Sequence, residues 1–315
     1  MTHLRPPPRP LAPEKFRDPL VTAKGEERAS VGFQGLRTLW VNTGTLCNIT
    51  CAGCYIESSP RNDRLVYLSA AELRAALDEA AEEPLAEVGF TGGEPFLNRE
   101  LPAMLEEVLS RGLPALVLTN AMKPMRHHEA ELLALKARFG DRLKLRVSLD
   151  HFAPERHDLE RGEGSFAIAL DGLVWLARAG FALDVAGRAG FGESEAETRA
   201  GFAGLFTRHG IPVDALDPVD LMLFPEMDER VDVPEITTAC WGILGKAPES
   251  VMCATSRMLV KRKGAARPAW IACTLLPYEP AFELGSTLGE AKSAVRLNHP
   301  HCAKFCVLGG AACSR

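Results

Sequence analysis

Short apolar runs alternate with longer amphipathic stretches between residue 37 and about residue 230. The apolar runs have the length and the Val, Leu and Phe content of β-strands, and the stretches between them have helical spacing. Such alternation indicates βα units and a parallel sheet, in which ligands bind at the carboxyl ends of the strands. The predicted strands are 38–42, 87–91, 115–119, 144–149, 182–187 and 219–224. Six strands with their helices fit an open barrel and a doubly wound sheet equally well.

Three of the helical stretches have recognisable ends. Ser69 and Glu72 form a capping-box pair, which begins a predicted helix over 70–83. Two further helices are predicted over 166–179 and 193–209, and a glycine follows each of them. These helices supply the layer that covers the predicted sheet.

The two ends of the chain have a different character. Residues 1–30 are rich in Pro and Arg and poor in apolar residues, so we expect an extended arm outside the fold. After residue 234 the strand-helix alternation fades and cysteines become frequent. We therefore predict a main domain over 31–234 and a smaller α+β domain over 235–315.

Composition limits the classes of function. The chain has 315 residues, a net charge of −5 and no apolar run near the ~20 residues of a membrane span. There is no basic footprint for nucleic acid, so a nucleic-acid partner is not expected. The chain shows no export signal, which predicts a cytoplasmic location. In that reducing compartment nine cysteines indicate metal ligands and free thiols more than disulfides.

Three of the cysteines stand together directly after the first predicted strand, at Cys47, Cys51 and Cys54. A structural zinc site or a fully ligated iron-sulfur cluster takes four protein ligands, so three thiolates leave one metal position open. Two other interpretations remain: a zinc site that takes its fourth ligand from a distant residue, or three buried thiols.

The spacing Cys-x3-Cys-x2-Cys resembles that of the radical SAM (S-adenosylmethionine) superfamily. The sequence Thr91-Gly-Gly-Glu-Pro at the end of the second strand resembles the GGEP motif of the same family. The resemblance implies a partial (β/α)6 TIM-like barrel. It also implies that Cys47, Cys51 and Cys54 hold a [4Fe-4S] cluster, whose fourth iron binds SAM.

The resemblance further suggests how SAM is bound. Gly92, Gly93 and Glu94 are expected at its amino group. Polar residues that end the third and fourth strands are candidates for its ribose or carboxylate: Asn120, Ser148 and Asp150. Arg188 is a candidate for the carboxylate, and Tyr55 for the adenine, because Gly53 stands where many members have an aromatic residue. Each polar residue could instead be a turn or cap residue, and Arg188 could form a surface ion pair.

The second cysteine set resembles the auxiliary-cluster domains called twitch or SPASM, with a hairpin predicted over 258–271 and a helix over 287–297. This implies one auxiliary [4Fe-4S] cluster with ligands from Cys253, Cys273, Cys302, Cys306 and Cys313. Cys240 is an alternate ligand or a buried thiol. A zinc site is the alternative, and His299 and His301 would suit it.

The implied function is that of a radical SAM enzyme, in which a reductant such as flavodoxin or ferredoxin reduces the cluster. The reduced cluster cleaves SAM to a 5'-deoxyadenosyl radical that abstracts hydrogen from a small-molecule substrate. The alternatives are a radical SAM peptide or protein maturase and a non-catalytic electron carrier or zinc module. No catalytic residue is assigned, although Tyr55, His151, His157 and Tyr278 could line the cavity.

Overall fold

The computed structural model describes residues 9–225 and 228–309, and within them the chain divides into two compact units. The first unit contains residues 9–34, 228–255 and 293–309. The second contains residues 35–225 and 256–292. Each unit is therefore assembled from segments that are distant in the sequence.

The described strands and helices have the following bounds. The strands are β1 Ser30–Val31, β2 Thr38–Asn42, β3 Glu87–Thr91, β4 Ala115–Thr119, β5 Leu143–Ser148, β6 Ala182–Arg188, β7 Leu221–Phe224, β8 Ser256–Val260, β9 Ala269–Ile271, β10 Glu283–Gly285 and β11 Val295–Arg296. The α-helices are α1 Ala70–Glu79, α2 Leu101–Ser110, α3 Lys123–Arg126, α4 Glu129–Phe139, α5 Pro154–Arg161, α6 Ser165–Arg178, α7 Glu195–His209, α8 Cys240–Leu244 and α9 Leu288–Ala291, and a π-helix follows at Cys302–Val307.

The second unit is built on one sheet with the strand order β10-β9-β8-β2-β3-β4-β5-β6-β7. Seven of these strands are parallel to one another: β8, β2, β3, β4, β5, β6 and β7. β9 and β10 extend the sheet beyond β8 as antiparallel strands. A doubly wound sheet reverses its strand order at a switch point. Here β2 to β7 follow the chain without reversal, which identifies the open, TIM-like barrel of the two predicted possibilities.

The strand and helix predictions hold closely within this sheet. β2, β3 and β4 have the predicted bounds, and the Ser69–Glu72 capping box is present with both of its hydrogen bonds. α1 ends at Glu79 instead of residue 83, and it has no basic residue in its last turn. The acidic residues that follow would be unfavourable at a helix C-terminus, and Pro84 prevents continuation.

The predicted hairpin over 258–271 is present, but it is continuous with the main sheet. Its first strand, β8, pairs in parallel with β2, with Thr38 opposite Ser256. Residues 256–292 therefore belong to the same compact unit as the sheet. The functional domain boundary at residue 234 stays a prediction.

Two predictions outside the sheet are wrong. The helix predicted over 287–297 ends at Ala291, and Val295–Arg296 is strand β11, which pairs with β1. The described part of the expected arm, residues 9–30, packs in the first unit: the fully buried Arg28 pairs with Glu235 at 2.5 Å. Both errors come from pairing between distant segments, which local composition does not indicate. None of the described helices has the length and apolarity needed to cross a bilayer.

Candidate functional site

Most of the predicted SAM-site residues lie around one cavity at the carboxyl ends of the parallel strands of the second unit. Nine of them line it, namely Cys47, Cys51, Cys54, Tyr55, Gly92, Gly93, Asn120, Ser148 and Arg188. They follow β2, β3 and β4 or are the last residues of β5 and β6, so the barrel brings together residues separated by more than a hundred positions. Glu94 and Asp150 lie behind this lining, where their carboxylates have other partners.

The loop that carries the three cysteines is held by other parts of the unit. Cys47 is buried, and its backbone N–H donates to the Ser59 carbonyl at 3.1 Å. The N–H of Ala52 donates to the Glu160 carbonyl at 2.7 Å. Cys51 and Cys54 are half-buried and face the same cavity. The thiols are thus presented to one cavity by a loop fixed from both sides.

The electrostatics of the thiols fit a metal-bound group. Burial raises the pKa of the Cys47 thiol to about 12. Burial also raises the pKa of Cys51, against the opposing effect of Arg161. Without a cation these thiols would stay protonated at neutral pH, whereas a coordinated metal deprotonates them. Together with the thiol of Cys54, which opens onto the same cavity, they form a donor set suited to iron or zinc.

Gly92 and Gly93 are required by the cysteine loop itself. The N–H of Gly93 donates to the Gly44 carbonyl at 2.8 Å. A Cβ at position 93 would lie 2.1 Å from the Leu46 carbonyl oxygen, and one at position 92 would lie 2.5 Å from the Gly44 oxygen. Gly92 also has φ +136°, which favours glycine. The glycines therefore allow close packing of the loop after β3 against the cysteine loop, and they leave backbone atoms facing the cavity.

Glu94 joins the ends of two strands. Its carboxylate is buried and accepts hydrogen bonds from the Thr119 hydroxyl and the Asn120 N–H, both at 2.8 Å, and from the Phe96 N–H at 3.3 Å. Burial raises its pKa to about 7, although these hydrogen bonds act in the opposite direction. Its contact with an amino group of SAM stays a prediction. The structure gives it the role of fixing Asn120, which lines the cavity.

The side chain of Asp150 forms ion pairs with two arginines, Arg161 and Arg188. The buried carboxylate of Asp150 accepts from Arg161 Nε at 2.8 Å and Nη2 at 3.0 Å, and Arg188 Nε lies 3.4 Å away. Burial by itself would raise the pKa of Asp150, but Arg161 and Arg188 together hold it below its ordinary value. Asp150 thus orients two cations beside the cysteines. Arg161, which lines the cavity, had no role in the sequence-based prediction, because only the fold shows that it faces Cys51.

The same network explains the glycine before the last cysteine. Arg188 Nη2 donates to the Gly53 carbonyl at 2.8 Å. A Cβ at position 53 would lie 2.2 Å from Arg188 Nη1 and 3.0 Å from a carboxylate oxygen of Glu160. An aromatic side chain has no room there while Arg188 holds the loop. Tyr55, the predicted substitute, lines the cavity and is 38% exposed.

Two residues considered as possible lining residues have structural contacts. The Nδ1 atom of the fully buried His157 accepts from the Asp150 N–H at 3.1 Å. The hydroxyl of Tyr278 donates to the Ile56 carbonyl at 3.0 Å. Both residues therefore stabilise segments next to the cavity.

The second cysteine set is divided between the units. Cys240, Cys253, Cys302 and Cys306 lie in the first unit, with Cys302 and Cys306 on the π-helix. Cys273 lies in the second unit, and its sulfur accepts from the Leu275 N–H at 3.4 Å. Cys313 lies outside the described residues. The Cys240 sulfur accepts from the Thr237 N–H at 3.4 Å. The ligand set of the auxiliary cluster remains a prediction.

Comparison with known sequences finds a family match in the second unit. Residues 41–197 match the family described as the Radical SAM superfamily. The chain is 28% identical over 136 residues to GTP 3',8-cyclase of Tolumonas auensis, covering 43% of this chain and 39% of that protein. It is 34% identical over 122 residues to the antilisterial bacteriocin subtilosin biosynthesis protein AlbA of Bacillus subtilis, covering 38% of this chain and 26% of that protein.

A third relative is the mycofactocin maturase MftC of Mycolicibacterium smegmatis, 28% identical over 135 residues, covering 43% of this chain and 33% of the relative. The chain therefore spans between about a quarter and two fifths of the length of these curated relatives.

Solved structures agree on the fold. Streptococcus suis SuiB bound to S-adenosylmethionine aligns with a TM-score of 0.57 at 11% identity, covering 80% of this chain and 63% of SuiB. The protein anSMEcpe with bound AdoMet aligns with a TM-score of 0.56 at 13% identity, covering 81% of this chain and 77% of anSMEcpe. At these identities the likeness concerns the fold, a mostly parallel α/β sheet with an additional C-terminal region.

Proposed function

The chain carries a domain of the radical SAM superfamily over residues 41–197, and on this premise we propose that it is a radical SAM enzyme. The observation that carries the proposal is the single cavity onto which Cys47, Cys51 and Cys54 open beside the backbone of Gly92 and Gly93. Three thiolates leave a cluster one ligand short. When bound there, a [4Fe-4S] cluster and SAM supply a 5'-deoxyadenosyl radical that abstracts hydrogen from the substrate.

The protein's own residues hold and enclose these groups. Cys47, Cys51 and Cys54 would ligate the cluster, and Arg188 fixes their loop through the Gly53 carbonyl. The backbone after β3, together with Asn120 and Ser148, faces the same cavity and would orient SAM by hydrogen bonds. Arg161 and Arg188 bring positive charge to the cavity, which suits a carboxylate. The burial of Cys47 keeps water from that side of the site.

For the substrate we propose a small molecule, as the sequence suggested. The names of several relatives support this class, because they include a GTP cyclase and an Fe-coproporphyrin III synthase. A peptide maturase is the second candidate. It is supported by the relative named mycofactocin maturase and by solved structures of SuiB with precursor peptide SuiA and of anSMEcpe with a peptide, which share the fold.

We further propose one auxiliary [4Fe-4S] cluster held by the second cysteine set, and reduction by a flavodoxin or ferredoxin. Buried or half-buried thiols at Cys253, Cys302 and Cys306 support the first part. A cytoplasmic location belongs to the same proposal, because cysteines that ligate an iron-sulfur cluster must stay reduced, and the cytoplasm is a reducing compartment.

The test is anaerobic reconstitution with iron and sulfide, followed by incubation with SAM and dithionite. We expect 5'-deoxyadenosine, measured by liquid chromatography and mass spectrometry. The triple variant Cys47→Ala, Cys51→Ala, Cys54→Ala should form none, whereas Cys240→Ala, which also removes a thiol, should retain the activity. A wild-type protein with an assembled cluster that leaves SAM intact would exclude the proposed function.

A further inference from the structure

Three metal-binding side chains converge in the first unit, in a group that the cysteine sites do not include. They are Glu229, His299 and His301, and one ligand atom from each lies within 4.8 Å of the other two. Glu229 lies in the segment after β7, and the histidines precede the π-helix, so distant segments bring them together. Glu229 is exposed at one end of the group, while His301 is buried at the other.

One pair in this group has the spacing of two donors around an ion. Glu229 Oε2 lies 3.4 Å from His299 Nε2. This distance exceeds the range of a good N–H···O hydrogen bond. Nitrogen and oxygen donors on a tetrahedral zinc ion lie about 2.0–2.2 Å from the metal, and thus roughly 3.4 Å from each other. The two imidazole rings are 4.7 Å apart and inclined at 60°. One ligand atom of each ring lies within 4.8 Å of the other and of the Glu229 carboxylate.

A second observation points independently to a ligand. His301 is 5% exposed, and its buried Nδ1 atom has no hydrogen-bond partner within residues 9–225 and 228–309. A buried polar atom without a partner is costly and rare. The nearby Asp228 carboxylate is engaged by Arg230, at 2.8 and 2.9 Å. A metal ion bound through His301 Nδ1 would satisfy this atom.

We propose that Glu229, His299 and His301 bind a divalent transition-metal ion, with zinc as the probe. Two imidazoles and one carboxylate are a donor set found at zinc and non-haem iron sites, and three protein ligands leave a position for water or another ligand. The site needs no thiol. It is therefore distinct from the cluster at Cys47, Cys51 and Cys54 and from the proposed ligation by Cys302 and Cys306.

Metal binding requires one local change. His299 Nδ1 accepts from the His301 backbone N–H at 3.1 Å, which places the ring proton on Nε2. The metal takes the Nε2 position, so the ring proton moves to Nδ1 and the contact with the amide is replaced by the metal bond. The charges nearest to His301 from the neighbouring segments are Lys304 and Asp228, which have opposite signs.

The experiment uses the full chain with its clusters reconstituted, so that the thiols are occupied. The protein is treated with a chelator, desalted, incubated with zinc and desalted again, and zinc, iron and sulfide are then measured. We expect about one zinc per chain beyond any in the clusters. His301→Ala and Glu229→Gln should each lower zinc affinity at least tenfold, and Cys302→Ser should not. The matched controls are His209→Ala and Glu249→Gln, which remove the same groups elsewhere.

Zinc X-ray absorption identifies the donors. A shell of nitrogen and oxygen at about 2.0 Å without sulfur at about 2.3 Å supports the proposal. A sulfur shell, equal zinc in the wild type and in Glu229→Gln, or no zinc in a folded wild type would overturn it. Because Glu229 is exposed, Glu229→Gln keeps the fold, and the result does not depend on the stability of the His301 variant. None of these outcomes depends on SAM cleavage, so failure here leaves the proposed enzyme function intact.

Discussion

The two cysteine-bearing regions differ in how their ligands are arranged along the chain. Cys47, Cys51 and Cys54 lie within one loop, and the structure presents all three to one cavity. In the first unit Cys253 comes from one segment and the pair Cys302 and Cys306 from another, and Cys273 lies in the second unit. Closely spaced ligands need only a local loop, whereas dispersed ligands depend on long-range packing. The cluster site at Cys47, Cys51 and Cys54 can therefore be identified from the spacing of its cysteines in the sequence. Identifying the ligands of the auxiliary cluster requires the tertiary structure and a measurement of bound metal.

The compact loop nevertheless depends on distant residues for its position. Arg188, at the end of β6, donates to Gly53, and Gly93 packs on the carbonyls before Cys47. The difference between the regions thus lies in where the metal ligands come from. Both regions rely on tertiary contacts to hold them. The following predictions test that distinction, starting with the largest expected effect.

The strongest test removes each set of thiols in turn. The triple variant at Cys47, Cys51 and Cys54 should lose about half of the iron if both clusters exist, from about eight ions per chain to about four. The pair Cys302→Ala, Cys306→Ala should lose the other half and still cleave SAM. The two variants are distinguished by measuring the iron and sulfide content of each and the amount of 5'-deoxyadenosine that each forms. If the pair abolished SAM cleavage while the first cluster stayed assembled, the two sites would not be independent.

The network behind the cysteine loop should make the protein sensitive to acid. Burial, assisted by Arg161, lowers the pKa of His157 from 6.5 to about 4. The neutral ring is therefore the folded form, and its stabilisation is fully present above pH 6.5 and is lost as the pH falls from 6.5 to 4. This pKa shift corresponds to roughly 3 kcal/mol of unfolding free energy. His157→Asn keeps an acceptor for the Asp150 N–H and cannot titrate.

Urea unfolding of the wild type and His157→Asn at pH 7 and pH 4 measures this contribution. Between pH 7 and pH 4 we expect the unfolding free energy of the wild type to fall by roughly 3 kcal/mol more than that of His157→Asn. His209→Asn, at the end of α7, is the control and should follow the wild type. Equal acid sensitivity of the wild type and His157→Asn would contradict the assignment of that sensitivity to His157.

Gly93→Ala tests the contact between the two loops. The added methyl group would lie 2.1 Å from the Leu46 carbonyl oxygen, so backbone must move, and we expect a loss of about 2–3 kcal/mol of unfolding free energy. Gly204→Ala is the control, because no atom lies within 4 Å of its added group in α7. That change should be neutral or stabilise by up to about 1 kcal/mol. Equal effects of the two substitutions would show that the close packing is absent.

The smallest effect is expected at the contact between Arg188 and Gly53. In Gly53→Ala the new methyl group displaces the flexible tip of Arg188, which costs one hydrogen bond worth about 1 kcal/mol. Loss of iron from the reconstituted first cluster to a chelator should become about fivefold faster. Arg188→Gln should have a similar effect, and the double variant should be no worse than either single variant. Additive effects would mean that the residues act separately.

Much of the second unit could be predicted because its signals are local. The bounds of β2, β3 and β4 follow from runs of apolar residues, and the start of α1 follows from a capping box. The cysteine spacing and the Gly-Gly-Glu-Pro sequence identified residues that the structure places beside one cavity. The roles assigned to individual side chains were less accurate. The carboxylate of Asp150 faces Arg161, and Glu94 fixes the end of β4.

The sequence by itself determined six strands of the main sheet, the motif of three cysteines with one metal position left open, and the resemblance of residues 41–197 to the radical SAM superfamily, because each depends on residues close together in the chain. Only the tertiary structure decided the strand order, the place of β8 beside β2, the packing of residues 9–30 and the grouping of Glu229 with His299 and His301. The strand order arises from pairing between strands about thirty to fifty residues apart, and the other three features join segments at least seventy residues apart. Local periodicity and spacing contain no signal for such contacts, so only the tertiary structure could place Glu229 beside His299 and His301.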